Sequence, residues 1–285
     1  MLTDRNGVPF PPVRRLGPED LAHCVALSLD RGWAPEKAKW ALLLEVTEAF
    51  GVDAPSGGLA GCVVLARNGP DLASVGMMLV AARYGRRGLG RALMEHLLAA
   101  AGSATVTLFA TDQGRPLYEK LGFRAIRRNV AFVGTFRPER PGADPARLAT
   151  EADMAAILNI DKAAFGADRS RLLLRLPGFA EQLRVIGTGS AVAGYAAAWR
   201  TETATVIGPV VAPDAAAARQ LITGLATRAH GQVRLDLDPD RPDLPRWAFA
   251  RGLQPVSRNA VMAYGDWRPR GEPARLFTPF SVALA

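Results

Sequence analysis

Residues 76–94 read GMMLVAARYGRRGLGRALM, and this stretch constrains the fold more than any other part of the chain. The apolar run 77–82 reads as a buried strand, and 84–90 as a turn rich in glycine and arginine. Leu89, Leu93, Leu97 and Ala100 then recur at helical spacing, with Ala92 filling the same face. A strand therefore delivers a glycine-rich loop to a helix N-terminus. There the free N–H groups and the positive end of the helix dipole can hold a phosphate. Glycines let the backbone approach an anion closely, while Arg83, Arg86, Arg87 and Arg91 add charge and donors. The pattern is not the dinucleotide fingerprint, because Leu93 stands where a third glycine is required. Nor is it a P-loop, because no Gly-Lys-Ser/Thr follows. The competing reading is a strand–turn–helix whose arginines are simply solvated.

The surroundings favour the cradle. After the helix come a strand over 104–110 and a helix that ends in Tyr118-Glu119-Lys120-Leu121-Gly122-Phe123. This order, and these residues, resemble the GNAT N-acetyltransferases. That family carries Gln/Arg-x-x-Gly-x-Gly/Ala after its fourth strand and Tyr-x-x-x-Gly-Phe one strand and one helix later. Gly88 and Gly90 match the first element, and Tyr118 with Gly122 and Phe123 matches the second. The resemblance covers residues 13–135. It departs at Gly85, which occupies the Gln/Arg position; Arg86 and Arg87 flank it as substitute donors.

The resemblance implies an α/β (α+β) fold, a mixed and mostly antiparallel sheet flanked by helices. It also implies acetyl-CoA as co-substrate, with no metal, and direct transfer of the acetyl group to a primary amine of a small molecule. Backbone groups of Gly85, Arg86, Arg87, Gly88, Leu89, Gly90 and Arg91 would hold the pyrophosphate. Main-chain groups of Leu79 and Val80 would meet the pantetheine arm at a splayed strand end. Tyr118 would be the general acid toward the departing thiolate, since a phenol of pKa ~10 suits that role; the alternative is a half-buried tyrosine packing its helix on the sheet. Trp33, in the loop between the first two helices, would face the acceptor, its ring suited to an ammonium; the alternative is an anchor for the helix pair. No carboxylate stands on the strand over 73–82, so the base is undefined. Glu45 and Glu48 are candidates for a water relay, or else solvated surface charges.

Composition narrows the alternatives. The chain has 285 residues, 49% of them apolar, enough for packed cores and unlike a disordered chain. Its two cysteines, Cys24 and Cys62, lie in apolar stretches and read as buried thiols of a reducing compartment. His23, His96 and His230 are scattered, without metal-ligand spacing. His96 follows Leu89 by seven residues and is expected to pack on the helix's inner face. No run approaches the ~18 apolar residues of a membrane span, and 1–12 lacks the apolar core of a secretory signal. The expected location is the cytoplasm, with no membrane partner. A net charge of +8 permits nucleic acid, but no helix-turn-helix or arginine–aromatic interleaving supports it, and clusters at 83–91 and 124–128 are accounted for by the phosphates of CoA. A non-catalytic acyl-CoA-binding or sensing module is the main alternative to an enzyme, and a homodimer is possible.

Beyond 136–146, a proline-rich segment read as a linker, the chain repeats itself in outline. The expected division is a GNAT domain over 1–135 and a degenerate GNAT-like domain over 147–285. Leu148 to Asp153 parallels Leu16 to Asp20 as a strand end followed by an acidic helix start. Val80 lies 42 positions before Gly122, and Val211 lies 41 before Gly252. The chemistry does not repeat. After Val211 the sequence reads Ala212-Pro213-Asp214-Ala215, with neither the glycine pair nor arginine. Asp214 is a good N-cap but repels a phosphate at that helix end, and Ala248 replaces the tyrosine. The second unit is expected to wall the pocket or form an interface.

Overall fold

Apolar strands alternating with amphipathic helices assemble into one continuous mixed sheet of 13 strands among the described residues. The structure is a computed structural model and describes residues 2–4, 7–138, 146–188 and 191–283. Most of the expected linker, 139–145, lies outside them. The first half contains β1 (Arg14–Leu16), α1 (Leu21–Asp30), α2 (Lys37–Val46), β2 (Glu48–Asp53), β3 (Leu59–Arg67), β4 (Leu72–Val80), α3 (Leu89–Ala101), β5 (Thr105–Ala110), α4 (Arg115–Lys120) and β6 (Arg124–Gly134). The second half repeats that order. It contains β7 (Arg147–Leu148), α5 (Met154–Phe165), the short α6 (Ser170–Leu173) and α7 (Leu176–Phe179), β8 (Gln182–Thr188), β9 (Ala191–Arg200), β10 (Thr205–Val211), α8 (Ala215–Ala226), β11 (Val233–Leu237), α9 (Asp243–Ala250) and β12 (Gln254–Tyr264). A last strand, β13 (Leu276–Thr278), has no counterpart in the first half.

The duplication extends to a pair of ion pairs. Arg14 on β1 grips Asp20 at 2.7 Å, and Arg147 on β7 grips Asp153 at 2.7 Å, each across six positions. Each aspartate also accepts a backbone N–H three residues back, from Gly17 and Thr150. These hydrogen bonds pin β1 and β7 to the helices that follow. The arginine hydrogen bonds hold both carboxyls below their ordinary pKa.

The sheet order is β1-β2-β3-β4-β5-β12-β6-β11-β10-β9-β8-β7, with β13 beside β10. The last long strand of each half crosses to the other. β12 pairs with β5 from Ala260↔Ala110 to Tyr264↔Val106, and β6 pairs with β11 from Val233↔Gly134 to Leu237↔Val130. β6 and β12 run antiparallel at the centre. Each therefore belongs to one half by chain order and to the other by pairing. Among the described residues only β4–β5 and β10–β11 are parallel; the remaining pairs are antiparallel.

Leu89, Leu93, Met94, Leu97 and Ala101 bury one face of α3 against the sheet. At roughly 100° per residue, this face is centred near Leu97. His96 consequently falls at its rim and is exposed, with its ring edge-on to Phe50 at 4.8 Å, rather than packed inside as expected. Cys24 and Cys62 are buried free thiols. Among the described residues no helix is long and apolar enough to cross a membrane.

Candidate active site

The site begins with a break in β4. Against β3, β4 shifts register between Cys62 and Val64, and Met77 takes a left-handed φ of 48°, rare for a residue with a side chain. Against β5, pairing runs only from Leu72↔Thr105 to Val75↔Leu108. Past Val75 the two parallel strands diverge, so the β5-facing edge of residues 76–80 has no ladder partner on β5. This is the splayed end expected at Leu79 and Val80.

The chain leaves β4 through a single turn at Ala82–Tyr84. Tyr84 fixes that turn: it is buried, edge-on to Phe10 at 5.2 Å, and its hydroxyl lies 3.2 Å from Ser56 Oγ. Arg86 adopts φ 59° and Gly88 φ 82°, which wraps the loop over the start of α3. No side chain caps that helix end, so its N–H groups are not consumed by a local acceptor. At Gly90 a side chain would press on Met78 and Leu117 at 3.0 and 3.2 Å, so a glycine there keeps the loop close to β4.

Loop, splay and α4 open onto one cleft of about 1760 Å³. Of the residues singled out in the sequence, Leu79, Val80, Gly85, Arg86, Gly88, Leu89, Gly90, Arg91, Tyr118 and Trp33 all line it. Arg87 does not; it is half-buried, and its Nε is buried without a hydrogen-bond partner among the described residues. Tyr118 is 8% exposed. Burial raises its phenol to about 12, above the ordinary value assumed from sequence. Trp33 is 43% exposed on the cleft wall. Trp40 is fully buried and donates its indole N–H to Ser28 Oγ at 2.8 Å, tying α2 to α1. The loop bearing Trp33 is itself fastened to the cradle, where Asp30 Oδ2 accepts the Ala82 N–H at 2.6 Å.

Neither candidate relay carboxylate reaches the cleft. Glu45 pairs with Arg175 at 2.7 Å, and Glu48 is held by Arg15 and Arg67. The sequence reading missed a different charged group. Glu36 and Lys39 line the cleft from the start of α2, and Arg234 and Asp236 line it from β11. Glu36 pairs with Lys39, and Arg234 with Asp236 at 2.9 Å. Glu36 sits at φ 35°, a strained backbone for a glutamate. Burial, then the charge of Arg234, lowers the Lys39 ammonium to about 8, against the weaker opposing pull of Asp236. The signal available in sequence was slight: a polar alternation in β11 and a Glu-x-x-Lys spacing that reads as an ordinary surface pair.

Comparison with known proteins assigns the chain that holds this cleft to a family. Two family models described as acetyltransferase (GNAT) domain match residues 47–125 and 157–278. The chain is 31% identical over 279 residues to the uncharacterized N-acetyltransferase YitH of Bacillus subtilis (strain 168), covering 95% of this chain and 97% of that protein. The chain belongs to the GNAT acetyltransferases. Among solved structures it resembles a putative acetyltransferase from Pyrococcus horikoshii, with TM-score 0.83, 20% identity and coverage of 96% and 95% of the two chains. It also resembles a tandem GNAT protein from the clavulanic acid biosynthesis pathway, with TM-score 0.63, 15% identity and coverage of 91% and 100%.

The second GNAT unit of this acetyltransferase has the same strand divergence, filled from within. β10 pairs with β11 only at Thr205↔Val233 and Val206↔Arg234. Beyond that point β13 lies against β10, with Val210↔Thr278 and Val211↔Leu276, and Ala212 donates its N–H to Arg275 O at 3.0 Å. Asp214 caps α8 by accepting the Ala217 N–H at 2.8 Å. Ala248, at the tyrosine position, is fully buried. The chain then runs on past Gly208 to Gly76, where a side chain would collide with the backbone of Ala283. The same tail thus fills the second opening and, through Ser281 and Ala283, walls the first.

Proposed function

We propose that the protein acetylates a primary amine of a small molecule, taking the acetyl group from acetyl-CoA by direct attack, with the chemistry confined to the first unit. One observation carries this reading. The open divergence of β4 and β5 leads in a single cleft from an uncapped, arginine-flanked helix start to Tyr118. The helix start and Arg86 and Arg91 suit a pyrophosphate. The unpaired edge at 77–80 suits an extended arm rich in amide groups.

The thioester supplies the activated acyl group, and the chain supplies position and a proton. The amine attacks as the free base; a C–N bond forms as the C–S bond breaks, and the proton that the attacking nitrogen then sheds passes to solvent. Tyr118, protonated throughout the physiological range, donates its hydroxyl proton to the departing sulfur and is restored from solvent. Trp33 covers the acceptor end.

Two measurements test this. Calorimetry should show acetyl-CoA binding to the purified chain, and thiol release should appear with members of an amine panel. Binding without turnover on any amine would instead favour a non-catalytic acyl-CoA-binding module.

A further inference from the structure

We infer that the acceptor carries a carboxylate as well as its amine, and that the carboxylate is gripped where Lys39 of α2 meets Arg234 of β11 across the boundary between the two units. This deepens the transferase reading and rests on it.

The two cations line the same cleft as the cradle, one from each half of the chain. Each has a carboxylate on its own element, Glu36 for Lys39 and Asp236 for Arg234. The side chains of Lys39 and Asp236 are only 12% and 5% exposed. Glu36 and Arg234 are 18% and 32% exposed, so the group is partly shielded, and desolvation of its buried members offsets the attraction within each pair. Its place on a cleft wall gives it another use.

Glu36 and Asp236 balance Lys39 and Arg234 one for one. Across the boundary, however, the two cations act against each other, and an anion placed between them on the cleft wall would relieve that repulsion. Arg258 on β12 lines the cleft as well, is exposed, and has no carboxylate partner among the described residues. The excess of cations at this end is unfavourable for a polyamine.

The floor supplies hydrogen-bonding groups that would fix the carboxylate's orientation. Sheet register sets Asp236, Ala131 and Ser257 in one row and Asn129 opposite Asn259 in a nearby one. Asn129 Nδ2 lies 3.4 Å from Asp236 Oδ1. Ser257 and Asn259 face the cleft. In the transferase reading the phosphates of the co-substrate fall to Arg86 and Arg91 at the start of α3, which follows β4, whereas Arg234 stands four strands further across the sheet on β11; this leaves Lys39 and Arg234 for the acceptor. An amino acid fits, with its carboxylate at the unit boundary and its amine toward the splayed end of β4.

The test uses the full chain and pairs of amines that differ only by a carboxylate, such as lysine with cadaverine and phenylalanine with phenethylamine. Thiol release from acetyl-CoA gives kcat/KM for each member, and calorimetry on CoA-loaded protein gives binding. The acid member of a pair should be preferred at least tenfold, mainly through KM. Lys39→Gln should bring that ratio toward one while leaving the KM for acetyl-CoA unchanged, and Lys39→Arg should restore the preference. Thermal melting confirms that each variant is folded, since Lys39→Gln leaves Glu36 and Arg234→Gln leaves Asp236 without its cation. Equal turnover of both members, or a preference that Lys39→Gln leaves intact, overturns the inference while the transferase reading stands. Selective binding of the acid member without turnover of any amine does the reverse. Absence of selectivity in both assays overturns the inference.

Discussion

The molecule contains the same opening twice, and the two are finished differently. Where β4 leaves β5, the gap stays open among the described residues and leads to a helix start that no side chain caps, flanked by arginines. Where β10 leaves β11, a strand of the same chain lies in the gap, and an aspartate caps the helix beyond it. The comparison teaches that the divergence of two parallel strands is a property of the scaffold, whereas vacancy is a property of sequence. A gap of unpaired backbone must be satisfied by something. The second unit satisfies it internally; in the first, no strand fills it among the described residues.

Four experiments would break or sharpen this contrast. The largest effect should follow from replacing both Arg86 and Arg91 by Ala. Losing two charge-assisted contacts, each worth about 1.5–3 kcal/mol, should weaken acetyl-CoA binding by roughly 10²–10⁴-fold in calorimetry; unchanged binding would mean that the cradle holds no phosphate. Next, Tyr118→Phe should lower kcat about 10²–10⁴-fold with little change in the KM for acetyl-CoA. Unaltered kcat across the pH range would remove the tyrosine from the chemistry.

A third experiment addresses the filled gap. Arg241 donates to the carbonyls of Pro273, Ala274 and Leu276 and so holds the strand that plugs it. Arg241→Ala should cost about 2–3 kcal/mol of stability, lowering Tm by several degrees, with acetyl-CoA affinity unchanged. A second equivalent of acetyl-CoA bound by this variant would show that the plug alone had excluded it.

The last effect is spread over about two pH units, as a slope in stability with pH. The Lys39 ammonium is lowered to about 8 in the fold, against an ordinary value of about 10.4 when unfolded. Between those values the unfolded chain binds more protons, so stability should rise as pH increases from about 8 to about 10. Denaturant titrations across that window should show the rise in the parent and lose it in Lys39→Met.

The open gap was the legible one. Gly88, Gly90 and Tyr118 act through local backbone and spacing, and their order in the chain was enough to place them beside one cleft. The halves were also visible, because Val80 to Gly122 and Val211 to Gly252 keep nearly equal spacing. What sequence hid depends on contacts between distant segments. The crossing of β6 and β12 leaves each strand's own pattern unchanged and alters only its neighbours. The plug β13 is three residues long and looks like any loop. Lys39 and Arg234 stand 195 positions apart and acquire meaning only when the units meet. Arg87, by contrast, sits within the motif and yet is turned to other surroundings, because the left-handed residues on either side reorient the loop one position at a time.

The exchange of β6 and β12 has a consequence for how such a chain can change over time. Each unit is closed by a strand that the other one encodes. Deleting the second half would strip β12 from β5 and expose a row of unpaired backbone groups in the first. The second copy is thereby kept as half of a shared sheet, whatever chemistry it carries, while its residues on the cleft wall can change without disturbing that sheet.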